Sequence, residues 1–112
     1  MIENPHILSS SDIDNGVLLQ LKIQAELSYF QGHFPAHPVV PGVVQLRWIE
    51  SLARKFNLVD GEFQRVDKLK FMRIMSEDYE VELELSKPKP DTVQFKYSSE
   101  HGIHASGKMI FK

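Results

Sequence analysis

From Leu19 to Leu27 the chain alternates strictly, with Leu19, Leu21, Ile23, Ala25 and Leu27 apolar and Gln20, Lys22, Gln24 and Glu26 polar. A period of two predicts a strand over residues 19–27 with one face buried and one wet. The polar stretch before it, with Pro5 and the Ser9-Ser10-Ser11 run, reads as an irregular lead-in carrying a short edge strand at residues 6–8. After residue 42 the period changes. Val43, Val44, Leu46, Ile49, Leu52, Ala53 and Phe56 recur at three- and four-residue spacing, which predicts a helix. Pro41 and Gly42 suit its start, Arg54 and Lys55 complement the dipole in its last turn, and Asn57 can close it.

Past the Asp60-Gly61 turn the pattern reads as β throughout. A strand is expected over residues 63–71, and a cleaner one over 79–85, where Tyr79, Val81, Leu83 and Leu85 alternate with Glu80, Glu82 and Glu84. Lys87-Pro88-Lys89-Pro90-Asp91 turns the chain into a strand carrying Val93, Phe95 and Tyr97. A second turn over residues 98–102 leads to the last strand, with Ile103, Ala105, Gly107, Met109 and Phe111. Short turns between neighbouring strands imply antiparallel hairpins. The expected architecture is α+β: one antiparallel sheet whose apolar face is covered by a single long helix, in one domain over residues 1–112.

Composition narrows the function classes. The 112 residues are 42% hydrophobic and 25% charged, an ordinary globular mix. A net charge of −2 gives no cationic field for nucleic acid or acidic membrane. With no Cys there is no disulfide framework, thiolate metal site or cysteine nucleophile. The opening residues lack both a basic n-region and an apolar h-region, so no signal peptide is expected. No apolar run nears the roughly 20 residues of a spanning helix. A cytoplasmic protein that binds neither nucleic acid nor membrane is the expectation.

The chemistry concentrates before the helix, in Phe30-x-Gly32-His33-Phe34-Pro35-x-x-Pro38-x-x-Pro41-Gly42-Val43. Three prolines forbid helix and continuous strand and stiffen the loop. An imidazole is thereby set just ahead of the helix N-terminus, where unpaired N–H groups and partial positive charge are available. A carbonyl resting there would be polarised, and His33 could take a proton from the adjacent carbon.

This run resembles the signature of the FabA/FabZ-type 3-hydroxyacyl-acyl carrier protein dehydratases, which have the hotdog fold. Asp67-Lys68-Leu69-Lys70-Phe71-Met72-Arg73 is similar to a further strand of that family, and Pro41-Gly42-Val43-Val44-Gln45-Leu46 resembles its ApeI-like branch, associated with aryl polyene pathways. The resemblance implies a sheet wrapped around a central helix and dehydration of a 3-hydroxyacyl thioester to a trans-2-enoyl thioester. His33 would be the base, the Gly42 N–H would hold the carbonyl, and Phe34, Pro35 and Val43 would line the substrate. It implies acyl carrier protein as partner, its phosphopantetheine carrying the substrate, with no metal or redox cofactor. It also implies a homodimer with its active sites at the interface.

The sequence departs from that pattern at one place. The family's acid lies fourteen residues after the histidine, where this chain has Arg47. A guanidinium, with a pKa above roughly 12, is a poor proton donor. Arg47 could hold the departing oxygen or a proton-donating water. Glu50, three residues on, could be the acid, or the two could form an ion pair and neither be catalytic. A thioesterase, and a non-catalytic subunit that binds acyl carrier protein or a paralogue, are the alternatives.

Other features have plainer readings. His37 follows His33 by four residues, but Pro35 and Pro38 preclude the helix that would make a metal pair. His101 and His104 are expected in solvent, Trp48 in the core or a dimer contact, and Glu80, Glu82 and Glu84 on the wet sheet face. Lys68, Lys70 and Arg73 form either a solvated face or a docking patch for acyl carrier protein.

Overall fold

The computed structural model describes residues 2–30 and 39–112. Strands β1 (His6–Ile13) and β2 (Gly16–Lys22) form a hairpin through Asn15, whose φ of 57° is the left-handed geometry such a turn demands. Helix α1 (Gly42–Lys55) follows, then β3 (Phe63–Phe71), β4 (Glu80–Lys89), β5 (Thr92–Ser99) and β6 (Gly102–Phe111). All six strands join one antiparallel sheet in the order β1-β2-β4-β5-β6-β3. The chain thus crosses from β2 by way of α1 to the far edge before filling the middle.

The alternating apolar positions converge on one face. Leu19 and Leu21 of β2, Val81, Leu83 and Leu85 of β4, and Val93, Phe95 and Tyr97 of β5 are buried there with Trp48, Ile49, Leu52 and Ala53 of α1. Trp48 is a core residue, and its indole N–H donates to Glu3 O at 2.9 Å, tying the start of the chain to the helix. On the opposite face Gln20 Nε2 donates to Glu82 Oε2 at 3.0 Å. No helix among the described residues is long and apolar enough to cross a membrane.

Three boundaries differ from expectation. β1 runs to Ile13 because an edge strand is held by its backbone ladder and needs no apolar alternation. β2 ends at Lys22, since a turn with Leu27 N–H on Gln24 O (3.2 Å) takes over. Ile23 and Leu27 are still fully buried, Leu27 by bridging in parallel to Ile2. β4 continues past Pro88, whose missing N–H falls in a register shift between Ser86 and Lys89.

Candidate active site

Among the described residues the N-terminus of α1 is uncapped by any side chain. Pro41 is its N-cap and makes no side-chain capping bond, and the N–H groups of Val44 and Gln45 both go to Pro41 O (3.0 and 3.1 Å). The N–H groups of Gly42 and Val43 have no backbone acceptor among the described residues, so they carry the helix's exposed positive end. The approach to the helix is pinned from three sides. Val40 N–H donates to Met75 O at 2.7 Å, Gln45 Nε2 donates to Val40 O at 3.2 Å, and Tyr97 Oη–H donates to Gln45 O at 2.7 Å. Burial alone pushes the Tyr97 phenol far above its ordinary range, so it acts as a fixed donor.

Beside this helix end lies a cavity of about 390 Å³, walled by Val39, Val40, Phe71, Met72 and Ile74. Gly42 and Gln45 present the helix to it, and Arg73 supplies the one charged side chain among the described lining residues. Phe71 lies against position 42: a Cβ there would sit 2.7 Å from the ring's Cζ, so the ring would have to shift. Glycine therefore lets an aromatic ring close over the first turn without a clash.

Of the residues singled out from sequence, His33, Phe34 and Pro35 lie outside the described residues, as does His37. Gly42 opens the helix, and Val43 is exposed beside it. Arg47 is exposed. Glu50 Oε2 is 2.9 Å from Arg54 Nη2 and 3.2 Å from its Nε, so this carboxylate pairs one turn forward and not with Arg47. Acidic before basic at i,i+4 is the favoured order for such a pair.

His104 overturns its solvent assignment. It is fully buried, with Nδ1 2.9 Å from Ile74 O and Nε2 2.7 Å from Ser99 Oγ. The carbonyl can only accept, so Nδ1 carries the hydrogen and Nε2 accepts from the serine. Desolvation lowers the imidazole pKa; bonds to the backbone at Ile74 and Arg73 oppose that shift, while the charges of His101 and Arg73 add to it. The His104 carbonyl also takes the N–H groups of Met72 (2.8 Å) and Arg73 (3.3 Å), so this one residue holds the cavity wall over residues 72–74. The β5–β6 register shifts between Tyr97 and Ser98, which turns His104 inward and leaves Ile103 exposed. His101 stays exposed and stacks on Tyr79, ring centres 4.3 Å apart.

Sequence reasoning passed over Gln45, Tyr97 and His104 as site-shaping residues. Gln45 had a signal, being a polar residue on the 45-48-49-52 stripe that α1 buries. His104 had none, because an alternating pattern does not reveal a bulge.

The ApeI-like family, described as ApeI dehydratase, matches residues 9–108. The chain belongs to this dehydratase family. Its fold is the hotdog fold, as the resemblance implied. A solved structure described as the dehydratase heterocomplex ApeI:P from Xenorhabdus doucetiae superposes with a TM-score of 0.85 at 23% identity, covering 96% of each chain. An uncharacterized protein from Erwinia carotovora subsp. atroseptica gives 0.82 at 27% identity, over 96% of this chain and 95% of that one. A curated relative, the 3-hydroxyacyl-[acyl-carrier-protein] dehydratase FabZ of Oenococcus oeni, is 36% identical over 69 residues, 53% of this chain and 48% of the relative. The chain thus matches about half of that relative's length.

Proposed function

We propose that this chain dehydrates 3-hydroxyacyl thioesters, carried on the phosphopantetheine of acyl carrier protein, to trans-2-enoyl thioesters. The observation that carries the reading is the uncapped N-terminus of α1 opening beside an apolar cavity. His33, nine residues before Gly42, removes a proton from C2. The electron pair left behind shifts toward the thioester carbonyl, whose growing negative charge meets the Gly42 N–H. It then returns to form the C2–C3 double bond as the C3–O bond breaks. The hydroxyl takes a proton and leaves as water, so atoms balance without a metal or redox partner.

Glu50 is engaged by Arg54, and Arg47 holds its proton too firmly to give it, so a water held by Arg47 is the donor we favour over Glu50. Lys68 and Lys70 on β3, with Arg73 at the cavity, supply positive charge suited to an acidic carrier protein. A second hotdog subunit completes the site, in a homodimer or with a paralogue. Support for that comes from exposed Val43, Leu69, Phe71 and Ile74 beside the cavity and along the β3 edge. Arg47 in place of a carboxylate favours the paralogue version.

The test is to add a 3-hydroxyacyl thioester and follow enoyl thioester formation. His33→Ala should abolish turnover. Arg47→Ala should do the same while Glu50→Gln stays active; the reverse result makes Glu50 the acid. Release of free thiol without enoyl product would replace dehydration by thioester hydrolysis. Activity only on mixing with a paralogue would establish the heteromeric version.

A further inference from the structure

Gln45 is a buried amide with one half unused. The residue is 4% exposed, and its Nε2 is spent on Val40 O at 3.2 Å. Its Oε1 is buried and meets no donor among the described residues. Flipping the amide would set Oε1 against the Val40 carbonyl, two acceptors facing each other, so the orientation is fixed by the chain itself. Gln24 Oε1 is unpartnered as well, but Gln24 lies away from the cavity, whereas Gln45 forms part of its wall next to Gly42. A buried acceptor held in this way calls for a donor from whatever occupies the cavity.

We infer that Gln45 Oε1 accepts a hydrogen bond from the C3 hydroxyl of the bound acyl chain and thereby selects 3-hydroxyacyl thioesters over their 3-deoxy counterparts. The inference rests on the dehydratase reading for the placement of the thioester carbonyl at Gly42. Gln45 follows Gly42 by three residues, one turn and about 4.5 Å along the helix axis, on the same face. In the substrate the C3 hydroxyl is the donor nearest the carbonyl on the acyl side. The pantetheine amides lie beyond the sulfur, in the opposite direction, and the rest of the tail has no donor. Chemically the contact suits a leaving hydroxyl. By taking the hydroxyl's own hydrogen, Gln45 turns the oxygen's lone pairs toward the incoming proton, and the water that departs keeps the same bond until it leaves.

The experiment compares binding of two stable ligands, a pantetheine-linked 3-hydroxyacyl amide and its 3-deoxy twin, to the intact protein by calorimetry. The wild type should bind the hydroxylated ligand about tenfold or more tightly, as one well-made buried bond to a hydroxyl allows. Gln45→Met, of similar size, should bind both at the 3-deoxy level. The side-chain amide resonance of Gln45 should shift with the hydroxylated ligand only. Equal binding by the wild type, or an undiminished preference in Gln45→Met, overturns the assignment. Should Gln45→Met fail to fold, the wild-type ratio and the resonance decide it. Enoyl formation with no hydroxyl preference sinks the Gln45 assignment and leaves dehydration standing. A preference that tracks Gln45 in a protein that makes no enoyl product does the reverse.

Discussion

At Gly42 an added side chain would meet the ring of Phe71. Gly42→Ala places a methyl against that ring, which is half exposed and can swing aside. The substitution should therefore leave thermal stability nearly unchanged while lowering kcat/KM by about ten- to a hundredfold, the scale of a small misplacement at a reacting centre. Paired melting curves and steady-state kinetics check it. His104 gives a different signature. Its folded pKa lies below the unfolded value of about 6.5, so between the two only the unfolded chain binds the proton. Stability should be flat above about pH 6.5 on this account and fall as pH drops from there through the folded pKa. Urea midpoints measured against pH should show that slope, and His104→Gln should flatten it. Of these residues, Gly42 was legible because its neighbours Pro41 and Val43 form a fixed run. His104 was not, because its burial depends on a bulge formed with a strand that carries no mark of it.

Among the elements, α1 was read closely from its sequence, and its end shows why. Asn57 takes φ 61°, its N–H donates to Arg54 O at 3.1 Å, and Leu58 N–H donates to Ala53 O at 2.8 Å. This is the Schellman closure that a post-helical Asn announces. Asn57→Ala should cost about 1 kcal/mol in urea unfolding, and Asn57→Gly should cost nothing or stabilise slightly. β3 spans Phe63–Phe71 as its composition suggested, although none of its residues is buried. β2 was read too long for an instructive reason. Ile23 and Leu27 are as buried as a continuing strand would make them, but a turn does the burying. Periodicity reports which side chains face inward, and two backbone paths can satisfy the same list.

For the molecule as a whole, the unfinished edge matters most. β3 pairs on one side only, with β6, and its outer ladder runs beside exposed Phe63, Leu69 and Phe71. Such an edge invites pairing with another chain. Sedimentation should show an assembly larger than the monomer, and Leu69→Lys should shift it toward the monomer without lowering the fraction folded. Sequence alone named the fold and the helix end, since both follow from pattern and motif. What it withheld was the cavity, because Phe71, Met72 and Ile74 meet the helix only through the crossover that carries β3 to the far edge.

That crossover also sets an order of events during synthesis. β3 emerges from the ribosome some thirty residues before its sole neighbour, β6, begins at Gly102. Until then the nascent helix has an unfinished apolar floor, and β3, with Phe63, Val66, Leu69 and Phe71 among its charged residues, has no strand to zip against. Closure must wait for β6, so until that strand emerges the unpaired edge and the uncovered apolar surface are open to association with other chains.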